Sequence, residues 1–291
     1  MSGMNWFDDV LHRAIAEVIL VGALAGMIGV HVVMRRLSFF TMALTHATFP
    51  GVVAASIIGV NLLVGGVATG AVIAVGVAVL TRRRGQDAAA ATGVLLSGGF
   101  ALGAALVATQ SGFSRDLSSF LVGSILTVST SDLIVTAVVL AVVAVVLLVS
   151  ARPLLFAGFD PQGARAAGLF TTGWDLLLLL TIQLVVVAVV PAVGTILALS
   201  LIVAPAVAAR LWSDRLPVIT ALAVVFAIGS GMIGLYASAR WNVAAGASIS
   251  LTATALLAVS WLVAVSWLGR WRRPVAATPV IAADDMHRAV A

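Results

Sequence analysis

The residue best suited to chemistry is His46, which lies inside the apolar stretch RRLSFFTMALTHATFPGVV at 35–53. Neutral imidazole is the commonest metal ligand, and an ionisable side chain at membrane depth is a functional hypothesis by default. Met42, four residues earlier on the same helical face, offers a thioether, and Thr45 offers a hydroxyl. The pattern predicts a metal path at these three residues. The alternative is a buried histidine hydrogen-bonded to a neighbouring helix, with Met42 as core filling and Thr45 bonded to its own backbone.

Other reactive constellations are missing from the sequence. Since the chain has no lysine, it has no G-x-x-x-x-G-K-[ST] phosphate loop and does not hydrolyse nucleotide itself. It has no cysteine, which excludes disulfides and thiolate metal sites. Its acidic residues stand singly near the ends of apolar runs, without a clustered base or nucleophile. We therefore expect a protein that is not an enzyme and holds no permanently bound cofactor.

The composition indicates that membrane helices position these residues. The 291 residues are 62% hydrophobic and 9% charged, whereas soluble domains carry about 25% charged residues. At about 20 residues per crossing, the long apolar runs predict an all-α, multi-pass bundle of about eight to nine helices in the plasma membrane. The candidate spans are 15–34, 43–59, 62–80, 89–109, 132–150, 174–191, 194–210, 217–237 and 246–268.

The positive charge follows the same organisation. A pI near 11.4 could indicate nucleic acid, but the arginines gather in short loops, as the positive-inside rule describes. If the spans alternate, twelve arginines share the cytoplasmic side, and only three of those that flank spans face outward: Arg13, Arg115 and Arg240. We expect no nucleic-acid partner, an N-terminal segment at 1–14, a transmembrane domain at 15–269 and a disordered, cytoplasmic C-terminal tail at 270–291.

Two segments decide how many membrane crossings are counted. The segment 110–132 contains an apolar run of only about ten residues, too short for a crossing, so we interpret it as re-entrant or interfacial. At 189–195, Pro191 and Gly194 predict a tight outer turn between two spans. If that turn were a kink, eight or fewer crossings would remain.

The longest loop between spans on the predicted cytoplasmic side, at 151–175, contains a short predicted helix. Asp160 is placed as its N-cap, Pro161 as its first residue and Gly168 as its stop. A capped helix in such a loop could dock a soluble partner. The alternative is a helix that only begins the next span.

Four segments in order resemble the ABC-3 metal permeases, the membrane subunits of ABC importers for zinc, manganese and iron. RRLSFFTMALTHATFPGV is similar to the family segment R-R-x-S-x-x-G-D-x-x-x-H-x-x-x-P-G, and DLSSFLVGSILTVSTSDL to D-L-x-x-x-L-x-G-x-x-L-x-V-S-x-x-D-L. FDPQGARAAGL stands where the family has its D-x-x-x-A-x-x-x-G coupling helix, and VGTILALSLIVAPAVAARL is similar to its proline-bearing region. The resemblance covers about residues 15 to 265.

The resemblance implies a type II ABC importer permease that pairs with a second copy. A cytoplasmic ATP-binding subunit would bind at the coupling helix and hold the ATP, and an extracytoplasmic metal-binding protein would deliver the metal. The residues matched to the coupling role are Asp160, Arg165, Ala166 and Gly168. His46 matches the family's membrane histidine, and the residues expected at helix breaks or gates are Pro50, Gly51, Pro191 and Pro205.

One departure from the family pattern concerns the metal. Thr41 and Met42 replace the family's Gly-Asp, so the carboxylate four residues before His46 is lost. Thioether with imidazole favours softer ions than carboxylate with imidazole, and zinc accepts nitrogen ligands readily. We therefore expect Zn2+ before manganese, as in the actinobacterial zinc-import branch that the arginine-only, Ala/Val-rich composition resembles. The alternatives are a metal chelate as substrate and a secondary transporter.

Overall fold

The computed structural model describes residues 2–60, 62–80, 88–108 and 125–268. These residues form α-helices and one 3-10 turn, Ile125–Thr127, and no strand occurs among them. The helices are α1 Ser2–Met34, α2 Ser38–Ala47, α3 Phe49–Ile58, α4 Leu62–Leu80, α5 Ala88–Ala108, α6 Thr130–Val149, α7 Ala151–Phe159, α8 Pro161–Ala166, α9 Thr171–Val193, α10 Thr195–Arg210, α11 Leu216–Trp241 and α12 Ala245–Leu268.

The described helices include segments that can cross a membrane. Six are long and apolar enough: Val10–Met34, Ser38–Ile58, Thr130–Val149, Thr171–Val190, Leu216–Trp241 and Ala245–Ser266. Three shorter apolar helices accompany them: Leu63–Val77, Thr92–Ala108 and Thr195–Arg210. Each predicted span therefore corresponds to one helix, or to the α2–α3 pair for the second span. The predicted all-helical membrane fold is confirmed.

Helix α1 lies at the centre of the packing, against α6, α10 and α11. Its glycines permit close approach of backbones, the usual basis of helix association in lipid. A Cβ on Gly26 would lie 2.6 Å from the backbone nitrogen of Val224 in α11. A Cβ on Gly29 would overlap the carbonyl oxygen of Ile202 in α10. The small residues of α1 thus determine how tightly α10 and α11 pack on it.

Different polar residues lie at the two opposite ends of the bundle. Arg35 and Arg165 line one cavity of about 880 Å³. Arg13 lines a separate cavity of about 770 Å³ together with Ser129 and Asn242. These pairings agree with the alternating scheme drawn from the arginines, which assigns Arg35 and Arg165 to one side and Arg13 to the other.

The turn between α9 and α10 differs from its prediction. Helix α9 continues through Pro191 and ends at Val193, so Pro191 does not break the helix. The chain reverses at Gly194 alone, where φ is 84° and ψ is 163°. Only glycine adopts this conformation readily, and a proline in the last turn of a helix disturbs a single hydrogen bond with the preceding turn.

Parts of several predictions lie outside the described residues. They are most of the re-entrant segment, with Arg115, and the C-terminal tail from 269 onward. Where the description resumes, Ser129 caps α6 through a reciprocal capping box with Asp132, the two backbone N–H groups each binding the other side chain. Helix α6 therefore begins at Thr130, close to the predicted boundary of 132.

Candidate metal path and coupling helix

His46 lies in a groove of about 720 Å³ on the side of the bundle, between α2, α10 and α12. Helix α2 carries the three predicted path residues along one face, because residues three and four apart share a side of a helix. The groove is lined by Ser38, Phe39, Met42, Thr45, His46, Thr195, Ile196, Leu199, Ser200, Val203, Ala204, Ser250, Thr254 and Leu257. The structure thus brings Met42, Thr45 and His46 together.

The imidazole of His46 is half-buried and makes an edge-to-face contact with Phe100, with 6.5 Å between ring centroids. Phe100 in turn stacks on Phe49 at 6.1 Å. No side chain or backbone group of the described residues hydrogen-bonds the imidazole. Within that part of the chain, the alternative of a core histidine satisfied by a neighbouring helix is therefore not what the structure shows. Its ring nitrogens are available to a ligand in the groove.

Met42 and Thr45 differ in the exposure and the hydrogen bonding of their side chains. Met42 is 38% exposed, so it is not ordinary core filling. Thr45 is buried, and its hydroxyl donates to the carbonyl oxygen of Met42 at 2.7 Å. The hydroxyl proton is therefore occupied by the backbone, while the lone pairs of Oγ1 stay available. Of the two, Met42 is the more accessible to a passing ion.

Pro50 explains why α2 and α3 are separate helices. A proline has no N–H to donate to the carbonyl four residues earlier, which here is that of His46. The chain resumes through Thr48, whose carbonyl accepts from Gly51 and Val52 at 3.1 and 3.2 Å. Thr48 keeps helical angles, φ −75° and ψ −18°, so the backbone stays in the helical region between α2 and α3. The break therefore lies within one turn of His46.

Hydroxyl groups that the sequence interpretation missed line the opposite wall. Ser200 of α10 donates to Ser250 of α12 at 2.9 Å, and Thr254 donates to the carbonyl of Ser250 at 2.9 Å. Ser250 and Thr254 stand four residues apart, a spacing that would have placed them on one helical face. Pro205 lies inside α10 and is buried. Its missing N–H leaves a gap in the hydrogen bonding of that helix.

No carboxylate is among the described residues that line the groove. Across the described residues, no group of three or more His, Asp or Glu side chains lies close enough to hold a metal ion. A tetrahedral zinc site requires four ligands, so one copy of the groove offers a partial set: imidazole, thioether and hydroxyls. Such an incomplete ligand set is better suited to letting a metal ion pass than to holding it permanently.

The predicted short helix is present as α8 and is distinct from the span that follows it. The backbone N–H of Gly163 donates to Asp160 Oδ1 at 2.8 Å, which caps the N-terminus. At the other end Gly168, with φ of 79°, and Leu169 donate to the carbonyls of Arg165 and Ala164. This pair of bonds is a Schellman motif. Capping at both ends makes α8 a defined element rather than the beginning of α9.

Most of α8 is available to a partner. Ala164 is buried, but Arg165, Ala166 and Gly168 are exposed. Phe159 and Phe170, which flank the helix, are each 71% exposed. Two exposed aromatic rings beside an arginine resemble the core of a protein interface, since aromatic residues and arginine are enriched there. The surface formed by Phe159, α8 and Phe170 can therefore dock a soluble protein.

A carboxyl to which the sequence interpretation gave no role is also buried. Glu17 of α1 has no exposed surface, and Thr136 of α6 donates to its Oε1 at 2.9 Å. Its Oε2 has no hydrogen-bond partner among the described residues. Glu17 does not line the His46 groove, so it joins α1 to α6 and adds no ligand to the metal path.

Comparisons with known proteins agree with this geometry. The sequence matches the ABC 3 transport family over residues 7–264. It is 35% identical over 267 residues to the manganese transport system membrane protein MntC of Halalkalibacterium halodurans, covering 90% of this chain and 91% of the relative. It is 31% identical over 264 residues to the manganese import system permease protein ScaB of Streptococcus gordonii, covering 90% and 93%.

The fold also matches a solved structure, PsaBC from Streptococcus pneumoniae in complex with Fab. The TM-score is 0.81 at 29% sequence identity, and the match covers 92% of this chain and 99% of that chain. The sequence match to the family includes both the groove helix α2 and the helix α8, and it extends over most of the described bundle. The chain therefore belongs to the ABC 3 transport family.

Proposed function

We propose that this chain is the membrane-spanning permease subunit of an ABC importer that moves a divalent transition metal into the cytoplasm. The observation that carries the proposal is the accessible imidazole of His46 in the groove, with Met42 on the same helical face. The relatives named as manganese permeases support the class of substrate. Their names alone do not decide which ion this chain carries.

Zinc is the ion that the groove chemistry favours. Manganese prefers carboxylate, carbonyl and water oxygens, whereas imidazole suits zinc and thioether suits soft ions. The described lining of the groove contains His46 and Met42 but no carboxylate. Manganese is the second candidate, supported by the names of MntC and ScaB. A metal chelate is a further possibility, because the groove, at about 720 Å³, is larger than a bare ion needs.

A second copy of the chain would complete the path. The groove opens on the side of the bundle, and its large apolar residues are exposed, Phe39 by 43% and Ile196 by 60%. Another copy facing it would cover these side chains and bring a second His46 and Met42. Two imidazoles and two thioethers give four ligands, the number that zinc commonly takes. A homodimer is therefore part of the proposal.

The energy source we propose is a separate ATP-binding subunit that docks on Phe159, α8 and Phe170. Arg165 and the exposed rings provide the contacts. An extracytoplasmic metal-binding protein would approach the opposite end, where Arg13 and Asn242 line a cavity. This orientation puts the C-terminus in the cytoplasm, which a C-terminal reporter that is active only in the cytoplasm would test.

A secondary transporter is the competing class. It would use an ion gradient and would be expected to carry paired carboxylates along its path. Where the structure describes the groove it has none, and Glu17 lies elsewhere. Copurification with an ATP-binding subunit, followed by uptake into liposomes with and without ATP, separates the two classes. Uptake that continues without ATP would support the secondary transporter.

The central experiment replaces His46 by alanine and measures zinc accumulation in cells that depend on this importer. We expect uptake to fall strongly, because the only imidazole among the described lining residues is lost. His12→Ala is the matched control, since His12 is outside the groove. Both variants are compared at equal membrane expression. Normal zinc uptake by His46→Ala would contradict the proposed path.

The metal is identified by competition. Radioactive zinc uptake by the reconstituted complex is measured with an excess of unlabelled zinc, manganese, iron or copper. We expect zinc to compete best and manganese poorly. Strong competition by manganese would instead identify manganese as the substrate, in agreement with the names of MntC and ScaB.

A further inference from the structure

Arg35, just beyond the end of α1, joins three helices at the end of the bundle that carries α8. Its guanidinium forms an ion pair with Asp175 of α9. Its Nη2 also donates to the carbonyl oxygen of Leu154 in α7 at 2.6 Å. Gly158 of α7 leaves room for it, since a Cβ there would lie 2.8 Å from Arg35 Nε. The Arg35 side chain is 17% exposed and that of Asp175 is 51% exposed, so water screens the ion pair from the Asp175 side, while the Arg35 guanidinium itself is held between the helices.

The connection from α1 to α2 is a rigid elbow. The N–H of Arg36 donates to the carbonyl of Val33 at 3.2 Å, and that of Leu37 donates to Val32 at 2.8 Å. With Arg36 at φ 57°, these bonds form a Schellman motif. The N–H of Thr41 then donates to the carbonyl of Leu37 at 2.9 Å, which begins α2 without a flexible residue between the helices. A displacement of Arg35 is therefore passed to α2.

The Arg35 guanidinium binds the helix that precedes α8 and the helix that follows it. Leu154 and Gly158 precede α8 in the chain, and Asp175 follows it in α9. Arg35 and Arg165 of α8 also line one cavity, together with Phe40 of α2. A push on α8 must move α7, α9 or both, and each is bonded to Arg35. The path from α8 to His46 thus passes through one side chain and one rigid elbow.

We propose that Arg35 is the positioning residue that transmits motion of α8 to the metal helix α2. The inference rests on the proposed function, in which an ATP-binding subunit drives α8. An ion pair combined with a charge-assisted hydrogen bond to a carbonyl forms a stronger tether than either contact alone. Without this tether, α8 moves while α2 stays behind, and ATP hydrolysis proceeds without metal transfer.

The test measures ATP hydrolysis and zinc uptake on the same liposomes, using the complete complex with its ATP-binding subunit. In Arg35→Ala we expect zinc moved per ATP to fall by about 5-fold or more, the lower range of allosteric coupling. Copurification of the ATP-binding subunit should be unchanged. A purely structural role would lower the yield of folded complex, or both rates together, and would leave their ratio as it is.

Further variants distinguish the loss of the Arg35 contacts, which form the tether, from general destabilisation of the fold. Asp175→Asn removes the ion pair, and Gly158→Ala displaces the guanidinium without changing any charge. Both should lower the ratio. Exchanging the charges, with Arg35→Asp and Asp175→Arg together, should restore part of it. Arg36→Asn is the control, because asparagine tolerates positive φ and Arg36 contributes no side-chain bond to the tether.

The outcomes are distinguishable. If the wild-type complex shows no ATP-dependent uptake, the proposed function fails before Arg35 is tested. If uptake is ATP-dependent and Arg35→Ala keeps the wild-type ratio, the tether is refuted. If Arg35→Ala does not assemble, Asp175→Asn and Gly158→Ala decide, and wild-type ratios in both refute it. A fall of equal size in Arg36→Asn would also refute it, since that variant keeps the backbone of the elbow and removes only a positive charge, so the effect would belong to net charge and not to the Arg35 contacts.

Discussion

Replacing Gly51 by alanine tests how tightly the helix after His46 must pack. A Cβ at Gly51 would lie 2.7 Å from the Cβ of Thr69 in α4 and closer still to the carbonyl oxygen of Gly65. Ordinary contact begins at 3.4 Å, so α3 and α4 must separate by at least 0.7 Å. The Gly65 carbonyl is backbone and cannot rotate away. Overpacking of this kind costs about 1–3 kcal/mol.

The displacement should also reach the metal path, because a single residue, Thr48, separates α3 from α2, which carries His46. We expect Gly51→Ala to lower the midpoint of thermal unfolding in detergent and to reduce zinc uptake. Gly98→Ala in α5 is the matched control, since nothing lies within 4 Å of its added Cβ. Adding Thr69→Ala should recover little. If Gly51→Ala unfolds and transports like Gly98→Ala, the packing argument is wrong.

Three further predictions concern other parts of the molecule. Asp160→Ala removes the N-cap of α8 and should destabilise that helix by about 1 kcal/mol. We expect less of the ATP-binding subunit to copurify with this variant than with the wild type. Met42→Asp restores a carboxylate beside the path and should raise manganese uptake relative to zinc in the competition assay. Glu17→Gln keeps an acceptor for Thr136 and should unfold close to the wild type. Glu17→Ala leaves a cavity and should unfold at a lower temperature, at a cost of about 1–3 kcal/mol.

Local patterns predicted α8 well because its signals are contained in a few neighbouring residues. Asp160 caps, Pro161 begins the helix and Gly168 adopts positive φ, and each acts within one turn. The turn at Gly194 was predicted only in part. Proline and glycine both signal a turn, but a proline in the last turn of a helix disturbs only one hydrogen bond, and α9 continues through Pro191.

The contacts of Arg35 could not be predicted from spacing. Asp175 is 140 residues away in the chain, and Leu154 contributes a backbone oxygen that no side-chain pattern reveals. Glu17 and Thr136 are likewise 119 residues apart. The wall of hydroxyls facing His46 also depends on how α10 and α12 pack beside α2.

The sequence by itself determined the helical membrane fold, the end-to-end distribution of arginines and the choice of His46 and α8 as candidate sites. Continuous apolar runs can satisfy their backbone in lipid only as helices, and the ordered motifs suggested the family. The tertiary structure decided that Met42 and His46 share an open groove and that Arg35 joins α7 and α9 to the elbow before α2. Lipid-embedded helices of similar composition have many ways to pack, and the close fit of small residues such as Gly26 and Gly51, with the interhelical contacts of Arg35 and Glu17, selects one.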